Sequence, residues 1–376
     1  MTDLGYAFTI YFVTLGPVKT IPVLPGHQRR GSPNPPPWRL TCVWLGCISS
    51  ERRSPSGPFN APPSKRWSQL PGYRDQRSCL VAAVLLRLLL ITGGSEAQEL
   101  EPRAFSPSPV GTTFVLGGFG KSAGGILFDP ALDIDNVQAD LWIATVGAGH
   151  TFGFGGRQAR ILAVFPIAWG SVAGNVSAQS QRQDLAGLVD PRFKLSVGLI
   201  GAPALTLAQF ADAPRRTAVG ASVTVVPPWG QYGPRQLVNL GYNRWAVKPE
   251  IGLSHPVGRW TLEASAGVWL FSTNHSYYPA AAVKRQDAVI ALQGHASYSL
   301  PRRSWLAVNA TWFAGSETRV DGVLNPDLQR NTRLGATLSI PIVGQQSLKF
   351  AYSTGTTTRR GSDFNTFNAT WQLVMF

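Results

Sequence analysis

The sequence has little cysteine, little methionine and little charge. Cysteine occurs at Cys42, Cys47 and Cys79 and nowhere later. A cysteine-free body suits a protein that passes an oxidising compartment without needing a bridge. Cys42 and Cys47 have no second pair to complete a zinc site, and no metal or cofactor site is expected. Charged residues make up 14% of the chain, well under the roughly 25% of ordinary globular proteins. Long apolar runs are missing too. The longest, Leu4–Val18 and Cys79–Thr92, fall short of the ~18 residues of a spanning helix. Low charge without such runs is the texture of a wall that meets lipid with every second residue.

The net charge is +14. Half of it lies before residue 98 and half is spread thinly over 98–376, with no basic run that could track phosphates. Nucleic acid is therefore not an expected partner.

Residues 1–78 read as a disordered or wrongly included leader, with a true translation start later than Met1. Pro, Arg and Ser dominate its second half, which cannot bury enough apolar surface to offset ordering. Residues 79–97 resemble a signal peptide. Arg74 and Arg77 precede the apolar Leu80–Ile91, and Ser95-Glu96-Ala97 fits cleavage before Gln98.

From Val110 onward, stretches of about ten residues alternate apolar and polar positions between Gly, Pro, Asn and Asp. Period 2 means strands with one apolar and one polar face. Leu348, Phe350 and Tyr352 oppose Lys349, while Phe193, Leu195 and Val197 oppose Arg192 and Lys194. Stretches of 9–14 residues exceed the five or six usual in globular strands and match the ~9–11 needed to cross lipid. Closure is then required, since no edge can stay unpaired in lipid. The expected fold is all-β, an antiparallel transmembrane β-barrel of about 12 strands over 98–376. Links at 257–258, 301–303 and 343–345 read as periplasmic turns. Links at 171–186, 201–215, 227–244, 272–286, 314–331 and 356–363 read as extracellular loops. The terminal Phe376 suits recognition by barrel-insertion machinery, although the apolar face Phe367–Met375 runs one residue out of phase with it.

Certain ordered motifs carry a family likeness: Ser106-Pro107-Ser108-Pro109-Val110-Gly111-Thr112, Leu127-Phe128-Asp129-Pro130, Asp190-Pro191-Arg192-Phe193, Val225–Tyr232 and Asn239–Gly252. With them the body resembles the outer-membrane family labelled MetA-pathway of phenol degradation. Trp229 stands where that family usually has Thr, and Gly233 where Asp often follows. The resemblance implies an outer-membrane barrel tied by association to movement of aromatic or other hydrophobic compounds.

Strand phase gives the expected pore lining: Arg192, Lys194, Lys248, Glu250, Glu263, Trp269, His295, Arg333 and Lys349. Such residues set selectivity in a wet passage or fill a narrow lumen with ion pairs. Most other tryptophans are expected in interfacial girdles. Asp190-Pro191-Arg192 and Asn243-Arg244-Trp245 read as turn chemistry beside an interface aromatic. His295 and Ser297 share an inward face, but no G-x-S-x-G elbow accompanies them, so catalysis is not expected. The expected function is an outer-membrane channel for a small-molecule solute, with membrane lipid as the other partner. The alternative is a plugged structural or binding barrel without flux.

Overall fold

The structure is a computed structural model that describes residues 100–127, 134–176, 179–236, 238–278, 282–359 and 361–376. The leader and the signal-like segment lie outside the described residues. The elements are β1 (Thr113–Leu127), β2 (Ile134–Phe154), β3 (Arg157–Val176), β4 (Gln179–Leu188), β5 (Arg192–Ile200), the short helix α1 (Leu207–Asp212) and β6 (Ala218–Val226). Then come β7 (Ala246–Val257), β8 (Trp260–Phe271), β9 (Asn274–Tyr277), β10 (Ala282–Gln286), β11 (Val289–Ser299) and β12 (Trp305–Gly315). The last are β13 (Thr318–Val320), β14 (Val323–Leu324), β15 (Gln329–Pro341), β16 (Gln346–Thr357) and β17 (Gly361–Met375).

Twelve strands close into one antiparallel barrel, as the alternation predicts. Neighbours in sequence pair around the wall, and β1 closes on β17 from Thr113↔Met375 to Leu127↔Gly361. The thirteenth strand of the sheet, β4, shares a wall position with β5. Both pair with β3, through Ile167↔Leu188 and Val164↔Arg192. Val189-Asp190-Pro191 interrupts this position, and Pro191 has no N–H to give a ladder. A separate sheet, β14-β13-β10-β9, rises from the loops after β8 and β12.

Two loop assignments are corrected. Residues 171–186 are mostly strand, since β3 runs to Val176 and β4 starts at Gln179. The alternation fails there because Gln179–Asp184 is polar at every position and mostly exposed, so neither face is marked as apolar. The link 201–217 lies at the same end as the chain termini of the barrel, not at the loop end. Ala204 N–H donates to Gly156 O at 3.0 Å, and Val110 N–H to Leu205 O at 2.8 Å. Four wall positions precede this link, so parity brings the chain back to the starting end. The turn between β2 and β3 uses Gly155 and Gly156 at φ of 55° and 72°, left-handed values that favour glycine in a tight hairpin.

The outer face is apolar. Ile161, Ile167, Leu195, Ile251, Ile290, Val308 and Phe367 are all exposed there. Aromatic pairs mark both rims, Phe119–Trp142 at 5.3 Å between centroids and Trp260–Tyr298 at 4.9 Å. A closed barrel with an apolar band between aromatic girdles is built for lipid. In β17, Phe367, Trp371 and Met375 point outward while Thr366, Asn368, Thr370 and Gln372 are buried inside. The terminal strand thus follows the apolar phase seen in sequence.

Candidate functional site

The candidate site is the lumen. Arg192, Lys194, Lys248, Glu250, Glu263, His295, Arg333 and Lys349 lie on inward faces and are buried, and Trp269 lies inward and half-buried. The structure draws only some of them together. Glu250 on β7 is the hub. It accepts from Lys248 Nζ at 3.2 Å, Lys194 Nζ at 3.3 Å, Ser265 Oγ at 3.1 Å and Gln293 Nε2 at 3.3 Å. Lys248 also lies 5.3 Å from the Trp269 ring centre. Arg333 stands apart, donating to Ser353 Oγ at 2.5 Å and Phe364 O at 3.3 Å. His295 Nδ1 meets Asn309 Oδ1 at 2.9 Å, and Asn309 donates on to Thr337 at 3.1 Å. His295 is therefore committed to a neighbour other than Ser297.

What surrounds these residues is the segment before the barrel. Residues 100–112 form a strap across the lumen at the end that holds the termini. Its base is fixed by backbone bonds, Gly111 N–H to Thr151 O and Val110 N–H to Leu205 O, both 2.8 Å. Farther along, side chains hold it. Ser108 N–H donates to Gln158 Oε1 at 2.7 Å. Ser106 Oγ donates to Glu263 Oε1 at 2.9 Å, and Arg103 N–H donates to the other oxygen of Glu263. The Arg103 guanidinium lies 4.8 Å from the Trp305 ring centre and donates to Ser299 at 3.0 Å. Glu101 reaches Lys194 at 2.6 Å and so joins the Glu250 hub. The Phe105 ring fits where Gly220 and Gly252 leave the wall bare. A Cβ on Gly252 would stand 2.2 Å from that ring, so any larger residue there would displace it. A cavity of about 20 Å³ remains beside the strap, lined by Phe105, Gln158, Ala202 and Gly220 among others. That is room for about one water.

The other end is closed differently. The loop 227–245 folds inward, and its Val238 and Leu240 pack in one buried cluster with Val137, Leu141, Ile143, Val172, Leu185 and Phe364. Asp190 holds both limbs of this loop, accepting from Gly230 N–H at 2.7 Å and Tyr242 N–H at 2.8 Å. Gln231 N–H donates to Leu188 O at 2.7 Å, so the loop continues the wall beside β4. Asp190 is thus a clamp on a distant loop rather than a local turn residue. Arg244, in the same loop, is buried against Phe271 and Tyr242. Burial pulls its guanidinium down to about 10, which leaves it charged at neutral pH.

A family profile described as "Putative MetA-pathway of phenol degradation" matches residues 131–371. The chain belongs to this family. Among solved structures it is similar to the COG4313 outer membrane channel from Pseudomonas putida F1. The two share 19% identity and a TM-score of 0.62, over 74% of this chain and 100% of that one. Weaker likenesses include the transport unit of the autotransporter AIDA-I from Escherichia coli, at 11% identity and a TM-score of 0.43. They cover 80% of this chain and 99% of that one. No curated protein matches the chain in sequence.

For this family member, strand phase finds wall residues but misses the strap. Glu101, Arg103 and Phe105 carry no periodic signal, since they precede the first strand, whereas Arg160 sits inside β3 on the inward phase of Gln158 and Leu162. Trp305, grouped in sequence with the girdle tryptophans, is 1% exposed and faces inward beneath Arg103. Its phase within β12, shared with Ala307 and Asn309, was the available clue. Counting strap and wall, seven buried cations (Arg103, Arg160, Arg192, Lys194, Lys248, Arg333, Lys349) face three buried carboxylates (Glu101, Glu250, Glu263). No group of three or more His, Cys, Asp or Glu fit to hold a metal occurs among the described residues.

Proposed function

We propose that this barrel is a gated outer-membrane channel for small solutes, closed at rest by the strap 100–112. The carrying observation is how the strap is held. Backbone bonds anchor its base, while side-chain hydrogen bonds and ion pairs hold 101–108. Contacts of that kind can be exchanged for water once charges are hydrated, whereas a strand in the wall cannot leave without exposing its ladder. Family membership supports aromatic or other hydrophobic compounds as the solute class. The excess of cations favours anions among them. We read the protein as a channel and not an enzyme, with His295 and Glu263 serving the lumen network. Cleavage before Gln98 would leave the strap with a free end close to Glu101, and Phe376 would serve recognition during insertion.

Single-channel recording in planar bilayers tests this reading, using protein purified from outer membranes. Wild type should show rare or small openings. The double variant Glu101→Ala, Arg103→Ala should show larger or longer ones. Silence from both proteins would favour the alternative, a plugged structural or binding barrel.

A further inference from the structure

We infer that Arg244 anchors a closed carboxylate site at the outer end of the lumen, and that its ligand is a small aromatic carboxylate. The inference rests on the channel reading for its route of access but not for its chemistry. Arg244 is 8% exposed. Its guanidinium lies 4.4 Å from the Phe271 ring centre and 5.6 Å from that of Tyr242. Nη2 donates to Gln286 Oε1. Nη1 is buried and has no hydrogen-bond partner. A buried guanidinium N–H left without an acceptor is costly, and natural interiors rarely leave one so.

The nearby carboxylate does not fill that vacancy. Both oxygens of Asp190 accept backbone N–H groups, from Gly230 and Tyr242. A second buried cation, Lys284, lies 4.5 Å from the Tyr277 ring centre. The surroundings are aromatic. Trp269 and Phe271 stack at 6.5 Å and pack on the buried Val289, Ala291 and Phe313. A carboxylate would accept from Nη1–H as a charge-assisted bond, while its ring met this apolar face. An aromatic amine would be repelled by the Arg244 guanidinium, and a ring without an acceptor would leave Nη1 unmet. The loop 227–245 and β9 close over the site through Asn274, which donates to Tyr232 Oη at 3.0 Å and Tyr242 O at 3.1 Å. Entry requires these contacts to part, so equilibrium binding is the appropriate readout.

Isothermal titration of benzoate, benzamide and aniline into the detergent-purified full-length protein tests the site. Benzoate should bind one per chain, and benzamide and aniline at least tenfold more weakly. Arg244→Gln should abolish the preference for benzoate. Arg244→Lys, which keeps the charge, should weaken benzoate binding yet retain the preference, and it carries the test if Arg244→Gln does not fold. Equal binding of benzoate and benzamide to wild type would overturn the inference and make Arg244 a structural brace. So would unchanged benzoate binding in a folded Arg244→Gln, or loss of the preference in Arg244→Lys. Conductance of the same preparation separates the two readings. Conduction without benzoate binding defeats the site alone, and binding without conduction defeats the channel alone.

Discussion

At the end that holds the termini, the lumen is crossed by residues 101–108, held chiefly by hydrogen bonds and ion pairs to Lys194, Glu263, Gln158 and Ser299, with the Phe105 ring seated at Gly220 and Gly252. At the outer end it is filled by the loop 227–245, whose Val238 and Leu240 join an apolar cluster on the inner faces of β2, β3, β4 and β17. The same barrel therefore carries two closures of opposite chemistry. Apolar burial is non-directional and weakens little with salt. Buried ionic contacts depend on geometry, and loss of one partner strands the other. The strap should therefore respond to single charge changes, and the loop to loss of shape or entry of a charge.

The largest effect is expected at the outer closure. Val238→Asp with Leu240→Asp places two carboxylates in the apolar cluster. Several kcal/mol should be lost, and ~3 kcal/mol already amounts to about 100-fold in an opening equilibrium. Arg235 is exposed in the same loop, so tryptic cleavage after Arg235 reports the open population. Cleavage should accelerate by about that factor. A rate equal to wild type would mean that the cluster does not hold the loop.

A smaller and more selective effect is expected at the strap. Lys194 bridges Glu101 and Glu250 at 2.6 and 3.3 Å. Lys194→Met leaves both carboxylates with less positive charge. Glu101 can escape to water with the strap, so the cost should be about 1–3 kcal/mol, the range of a hydrogen bond to a charged group. Open probability in bilayers should rise roughly tenfold, while cleavage after Arg235 stays at the wild-type rate. If both readouts move together, the two closures are one cooperative unit and the contrast between them fails.

The contrast also explains what was legible in the sequence. Where a strand meets lipid on one side and the polar lumen on the other, period 2 is clean. In β5, β8, β15 and β17 the inward and outward residues follow the pattern of the sequence. Where the loop packs inside, the inner face of β2 is apolar as well, through Val137, Ala139, Leu141 and Ile143. Alternation then vanishes, and the boundaries of β2 and β3 blur with it. The strap was not legible as a plug, because Ser106-Pro107-Ser108-Pro109 carries the family likeness but no alternation that would place it inside the barrel. Its partners lie far off in sequence, as Glu263 does from Arg103. Arg244 looked like a turn residue because burial by a folded-in loop is a tertiary event.

The finest test concerns the charge of the polar half. Seven buried cations face three buried carboxylates across strap and wall. Charges lining a narrow passage act strongly on permeating ions, because low-dielectric walls screen them poorly. The open channel should therefore prefer anions weakly. Lys248 sits within hydrogen-bond distance of Glu250, and Lys349 lies 6.0 Å from the Trp305 ring centre. Together they sample the middle of the lumen and its strap end. Lys248→Gln with Lys349→Gln would reduce the excess without placing new carboxylates beside Glu250. The reversal potential under a salt gradient should then move toward zero relative to wild type. The apolar half offers a control, because Leu240→Ala alters the outer closure but adds no charge and should leave the reversal potential in place. An unchanged potential in the lysine variant would place the permeation path away from Lys248 and Lys349. A shift in Leu240→Ala of the same size would mean that pore shape, not lumen charge, sets the preference.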